Sequence, residues 1–157
     1  MTRPTKESAL RFDSDKPKFH LLPQSYLEHL APQLQNDPML AWFYKRESIL
    51  AKSLHMPSVL SVLDKGAAKY GKHNYVKGML YSRVFDAYVR HRIFYPSSND
   101  EETGLPHTSH AACNILMAQV YELEGYDNGE FDDRPLATRA QVLDALTADA
   151  QNLKLEY

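Results

Sequence analysis

The sequence predicts an all-α protein, a compact bundle of about five to six helices behind an extended N-terminal arm. Three observations carry that expectation. Over most of the chain apolar residues recur at the three- and four-residue spacing of a helix. Pro23, Pro38, Pro57 and Pro106 stand where helical segments begin, and Gly71 and Gly125 stand where they stop. The strict apolar–polar alternation of a half-buried strand is almost absent.

Residues 1–22 read as the arm, because Pro4 and Pro17 interrupt the chain there and no helical period precedes the HLLP run. A short strand at 19–22 is the one regular element expected in it. The helical domain spans 23–135. Its first helix runs from Pro23 to about Leu34, ended or kinked by Pro32, and two more are expected at 38–54 and 57–69. YGKHNYVKG at 70–78 lacks a helical period and is bracketed by Gly71 and Gly78, so it reads as a loop. YSRVFDAYVRHRIFY resumes the period, with Tyr81, Val84, Phe85, Tyr88 and Val89 on one side and Arg83, Asp86 and Arg90 opposite. PSSNDEETG breaks it again. The next helix starts at Pro106 and runs to about Glu124; the acidic loop GYDNGEFDDRP follows, and 136–157 holds a last helix near 138–153.

A chain of 157 residues with 43% hydrophobic and 24% charged residues is the size and composition of one soluble globular domain. Cys113 is its one cysteine, which excludes an internal disulfide and a multi-cysteine zinc site and suits a reducing cytoplasm. No apolar run reaches the roughly 20 residues of a spanning helix, and the first 18 residues lack a signal-peptide core, so a cytoplasmic protein without membrane contact is expected. A net charge of −2 argues against extended nucleic-acid binding by broad phosphate neutralisation, while small polyanions remain suitable ligands.

Chemistry is concentrated in HTSHAACN at 107–114. On a helix, His107, His110 and Asn114 share one narrow sector beside Ala111 and Ala118, while Ile115, Leu116, Val120 and Leu123 form the expected core face. Imidazoles bind metals or move protons near neutral pH, and an amide both donates and accepts. Surface or interface histidines are the plainer reading of this spacing. Against it, NDEETGLP delivers Asp100, Glu101 and Glu102 to the helix entrance, where carboxylates and imidazoles can converge on a cation. Asp86 and Arg90 are either an exposed ion pair four residues apart or a metal-holding carboxylate and a phosphate-binding cation, with His91 beside them. Lys16, Lys69, Lys72 and Lys77 suit phosphate capture; three of them lie in or beside the glycine-bracketed loop.

RFDSDKPKFHLLP (11–23), KGAAKYGKHNY (65–75), FDAYVRH (85–91), DEETGLPHTSHAACN (100–114) and FDDRP (131–135) form an ordered set. Together they resemble the small helical domain of the phage-type dATP/dGTP diphosphohydrolases over about residues 10–135. PHTSHAACNILMAQ also resembles, more loosely, the last metal-binding helix of MazG-type pyrophosphohydrolases, with histidines in place of acidic residues. The resemblance implies hydrolysis of purine deoxynucleoside triphosphates to monophosphate and pyrophosphate with Mg²⁺ or Mn²⁺, in phage nucleotide metabolism and in a homo-oligomer. Three departures stand out: Tyr75 where the family has tryptophan, Pro96, Ser97 and Ser98 where it has an acidic run, and an insertion at 32–56 that contains Trp42.

These features assign expected roles. Asp86, Asp100 and Glu102 hold the metal; His91, His107 or His110 accepts the proton or meets phosphate. Lys16, Lys69 and Arg90 read the phosphates, and Asn74, Tyr75 and Asn114 contact base or sugar. Two rivals accompany this expectation. One is a non-catalytic protein that binds and sequesters the nucleotide. The other is an interaction protein that meets a host partner through the apolar residues of MLAWFYKRESILAKSL.

Overall fold

A computed structural model describes residues 9, 13–94, 98–126, 129–136, 143, 146 and 147. Five α-helices account for about half of these residues: α1 (Gln24–Leu30), α2 (Pro38–Lys45), α3 (Met56–Tyr70), α4 (Tyr81–Phe94) and α5 (His107–Leu123). Short 3₁₀ turns occupy Phe19–Leu21, Pro32–Leu34 and Asn74–Lys77. The all-α expectation therefore holds, and no strand occurs among the described residues. The C-terminal helix expected near 138–153 lies outside the described residues except for Leu143, Leu146 and Thr147. No described helix is long and apolar enough to cross a membrane.

Helix α4 is the axis of the bundle, packed against α5, α2 and the 3₁₀ turn at Phe19–Leu21, while α3 packs on α5. Its burial is correspondingly all round: Asp86 and His91 are covered along with Tyr81, Val84, Phe85, Tyr88 and Val89. The aromatic core joins three helices. Phe43 stacks on Phe85 at 4.1 Å, Trp42 meets Tyr81 at 5.1 Å, and Tyr81 stacks on Tyr121 at 5.8 Å. Such ring pairs add to plain area burial because edge and face charges are complementary.

Three local expectations are corrected. The strand at 19–22 is a 3₁₀ turn, because Leu22 N–H closes back on Phe19 O. The helix expected at 38–54 stops at Lys45, where Arg46 turns left-handed at φ 57° and its guanidinium binds Asp132, Arg134 O and Pro135 O. On α5 the core face is Ala111, Ile115, Ala118 and Tyr121, whereas Leu123 is exposed. The segment once open to a partner-surface reading is mostly core: Met39, Leu40, Trp42, Phe43 and Ile49 are all buried, with Leu50 alone of the six exposed.

The FDDRP run is a strap across the start of α4. Phe131 O accepts from Tyr81 N–H, and the Asp133 carboxylate accepts from the N–H and the hydroxyl of Ser82, which satisfies donors at the helix start. Arg134 packs over both the Trp42 and Tyr81 rings at 5.2 and 5.1 Å, pairs with Asp132 at 2.8 Å and donates to Trp42 O. Gly78 makes the close approach to the strap possible: its φ is 87°, and a Cβ there would sit 2.5 Å from the Phe131 ring.

Candidate functional site: a polar cavity between α3, α4 and α5

A cavity of about 460 Å³ opens between α3, the C-terminal half of α4, the first half of α5, the loop at 98–106 and the arm. Leu60, Leu63 and Ala67 of α3, with Met117 of α5, give it an apolar side. The other side gathers Lys16, Lys69, Arg90, His91, Asp100, Glu102, His110 and Asn114, and Asn74 and Tyr75 close the rim. Ten of the twelve residues picked out from the sequence thus share one hollow; His107 and Asp86 do not line it.

The hollow exists because each wall is locally fixed. Helix α3 ends at Tyr70 where Gly71 takes φ 94°, so Lys69 and Tyr70 stand at the rim. The 98–106 loop doubles back through the Asn99–Pro106 bridge, with Asp100 N–H bound to Leu105 O and Gly104 at φ 73°. Within it Thr103 donates both its N–H and its hydroxyl to Asp100 Oδ2, at 3.0 and 3.1 Å. The arm is fastened at two points. Asp13 takes two bonds from the Arg83 guanidinium, and Asp86 takes the His20 N–H at 2.8 Å and the His20 ring at 2.6 Å.

That second fastening corrects the expectation for Asp86. Its carboxylate is buried and engaged by His20, so it is not available beside Asp100 and Glu102 as a metal ligand. Burial raises its carboxyl, with the His20 bonds pulling the other way. Its place is to hold the arm that carries Lys16 to the cavity.

His107 sits one layer behind the wall. Its Nδ1 faces Nδ1 of His91 at 2.9 Å, and its ring packs against Phe94 at 5.5 Å. His91 in turn stacks on His110 at 4.6 Å, and His110 Nε2 meets the Thr103 hydroxyl at 2.7 Å. One ligand atom each from His91, Asp100 and His107 lie within 4.8 Å of one another, a tighter donor group than Asp86, Asp100 and Glu102 provide. Glu102 is the most solvent-exposed of the acidic candidates and pairs with Lys69 across the rim.

Electrostatics follow from burial. Desolvation pushes the His91 imidazole down to about 3, with His110 and Arg90 adding to the drop and Asp100 opposing it. His110 is lowered too, by burial first, while Asp100 pulls it upward. Burial alone raises the Asp100 carboxyl, but the Thr103 bonds and the neighbouring His110 more than offset this and hold it low. At neutral pH His91 and His110 therefore offer unprotonated imidazole nitrogens beside the ionised Asp100 carboxylate. Thr103 was missed in the sequence, although an Asp followed three residues later by Thr and then Gly is the signature of such a side-chain-capped turn.

Comparison with known proteins identifies a family over the same part of the chain. Residues 47–134 match the family described as dATP/dGTP diphosphohydrolase, N-terminal, a stretch that includes α3, α4, α5, the 98–106 loop and most of the strap. A dATP/dGTP diphosphohydrolase of Salmonella phage PMBT28 is 42% identical over 61 residues, 38% of this chain and 21% of that relative. The match thus spans about a fifth of the relative's length. No solved structure matches the chain.

Proposed function

The chain belongs to the dATP/dGTP diphosphohydrolase family, and from that premise we propose that its cavity binds a purine deoxynucleoside triphosphate and hydrolyses it to the monophosphate and pyrophosphate. The observation that carries the reading is the two-sided cavity, with three cationic side chains and a histidine–carboxylate cluster facing an apolar wall on α3. Its volume lies within the range of small-ligand sites, about 300–1,000 Å³.

Lys16, Lys69 and Arg90 receive the phosphate oxygens. Leu60, Leu63 and Met117 cover a face of the base, and Asn74, Tyr75 and Asn114 supply polar contacts to base or sugar. Water attacks the α-phosphorus, the bond from that phosphorus to the oxygen bridging to the β-phosphate breaks, and pyrophosphate leaves with the bridging oxygen. His110 accepts the water's proton: it lines the cavity, its lowered pKa keeps it unprotonated at neutral pH, and Thr103 orients its ring. A divalent cation, when bound at the histidine–carboxylate cluster, offsets charge on the triphosphate and polarises the phosphorus under attack.

Assembly from more than one copy belongs to the same reading. Helix α3 buries only Val59 among its described residues and leaves Met56, outside the cavity, exposed, which supports a covering subunit. A cytoplasmic setting goes with the deoxynucleotide substrate.

The test is turnover of all four deoxynucleoside triphosphates with several divalent ions, detecting pyrophosphate and phosphate separately. Purine substrates should give pyrophosphate, and His110→Ala should lower kcat about 10²–10⁴-fold without loss of fold. Folded protein that releases no product from any of the four overturns the reading. A sequestering role is favoured instead if calorimetry then shows tight binding of dGTP, and the observation on its side is that Asp86 is withdrawn from the cavity.

A further inference from the structure

We infer that His91, Asp100 and His107 form a binding site for one divalent transition-metal ion of the manganese, cobalt and zinc group, rather than a magnesium site, with Thr103 as its positioning residue. The inference deepens the proposed function by naming the class of ion, and it rests on that reading only for what the ion does, not for whether it binds.

Three observations support it. The first is the donor set, two imidazoles and one carboxylate with ligand atoms inside 4.8 Å. Magnesium takes oxygen ligands and keeps its waters, whereas imidazole nitrogen draws borderline ions, and two histidines with one carboxylate leave coordination positions open for water or substrate.

The second is the facing pair of Nδ1 atoms 2.9 Å apart. With no ion between them, one ring donates its proton to the other. Metal–nitrogen bonds of about 2.0–2.1 Å at a right angle also place two nitrogens about 2.9 Å apart, so this separation suits two ligands of one ion, each ring turning its lone pair from the other nitrogen toward the metal. Both side chains are buried among packed helices, His91 on α4 and His107 at the start of α5, so their separation is set by the pairing of those two helices.

The third is the support behind the ligands. Thr103 grips Asp100 at Oδ2, so Oδ1 is the oxygen left for an ion, and the same hydroxyl meets His110 Nε2. Ligands held from behind in this way are the usual construction of metal sites, and loss of such a partner weakens affinity about 10–100-fold. His110 is thereby linked to the site through Thr103 without belonging to the ligand group, which leaves it for proton transfer. Glu102 and Asp86, both expected as ligands from the sequence, lie outside that group.

The experiment uses the full chain stripped with a chelator and dialysed. Calorimetry with Mn²⁺, Co²⁺, Zn²⁺ and Mg²⁺ should show one equivalent of each transition ion bound at least 100-fold more tightly than Mg²⁺. Visible absorption of the Co²⁺ form should show ligand-field bands that are absent from His107→Ala and Asp100→Asn. Thr103→Val should retain the stoichiometry and lose about 10–100-fold in affinity, while His29→Ala, at an exposed histidine far along the chain, should match the wild type. Circular dichroism identifies any variant that fails to fold; should His107→Ala do so, the decision passes to Asp100→Asn and Thr103→Val. Equal affinity for Mg²⁺ and the transition ions, transition-ion binding that survives loss of Asp100 or His107, or no binding by folded wild type overturns the site. None of these readouts uses nucleotide turnover, so a failure here is distinct from failure of the proposed hydrolysis.

Discussion

The molecule buries polar groups at two ends, and they are finished differently. At the strap, Arg134, Asp132, Asp133 and Arg46 satisfy one another, the start of α4 and nearby carbonyls, with the Trp42 and Tyr81 rings closing over Arg134. At the cavity, His91, His110 and Asp100, with His107 behind them, are brought equally close, yet the first three border about 460 Å³ of open space rather than a closed network. A polar cluster that closes on itself fixes structure; one that stops at a hollow is equipped to receive a ligand. The two ends should therefore respond oppositely to substitution, the strap in stability and the cavity in binding.

The largest effect is expected at Arg134. Its side chain and that of Asp132 are 4% and 5% exposed, so Arg134→Ala strands a buried carboxylate with Arg46 as its remaining cation. A loss of about 3 kcal/mol is expected, the low end of the range for breaking a buried pair from one side. Urea unfolding measures it, and a loss below 1 kcal/mol would mean that the strap does not anchor the bundle. The same pair sets an acid dependence. Burial alone raises the Asp132 carboxyl, but Arg134, then Arg46, bring it below its ordinary value. On acidification the unfolded chain takes up that proton first, so the pair's contribution is complete above about pH 4 and fades as pH falls through the lower folded-state value. The stability gap between wild type and Asp132→Asn should be widest at neutral pH and shrink below pH 4; a gap independent of pH would show that charge is not what Asp132 contributes.

Two glycines sharpen the contrast at intermediate size. Gly78, against the strap, has both a positive φ and no room, so Gly78→Ala must strain the backbone and displace the buried Phe131 ring, at a cost of about 2–3 kcal/mol. Gly71, at the cavity rim, has φ 94° with no neighbour within 4 Å of a added Cβ, which leaves only the backbone strain of about 1–2 kcal/mol. Melting of both variants in one series checks the order. Equal losses would imply that the strap yields to the new methyl group.

How much of this was readable from the chain divides along the same line. Helices α3, α4 and α5 were legible because their signals are local: Pro57 and Pro106 at the starts, Gly71 and Gly125 after the ends, and a continuous apolar period between. The cavity was largely legible because its residues come from short motifs at fixed spacing. What escaped depends on partners far along the chain. The stop at Arg46 is enforced by groups 86 to 89 residues away, and Asp86 is claimed by His20, 66 residues earlier. FDDRP reads as part of an acidic loop, since no local pattern distinguishes an arginine packed over two buried rings from one in water.

The smallest expected effect on stability is also the one that best separates two roles for Glu102. Its side chain is 57% exposed and that of Lys69 is 33% exposed, so their pairing contributes little, and Glu102→Gln should change stability by less than about 1 kcal/mol. Glu102 holds the Lys69 ammonium pKa up through its hydrogen bond, and under the proposed function it occupies a cation that would otherwise meet the triphosphate. Replacing it removes a negative charge from the rim and releases Lys69 toward phosphate, so KM for the nucleotide should fall by about two- to fivefold, the size of a screened surface interaction. A carboxylate that ligates the ion behaves the opposite way: its loss raises the concentration of metal needed for half-maximal activity by tenfold or more and leaves the nucleotide KM no better. Steady-state kinetics with metal and nucleotide varied independently distinguishes the two, and a metal requirement raised in that way would return Glu102 to the ion's own coordination shell.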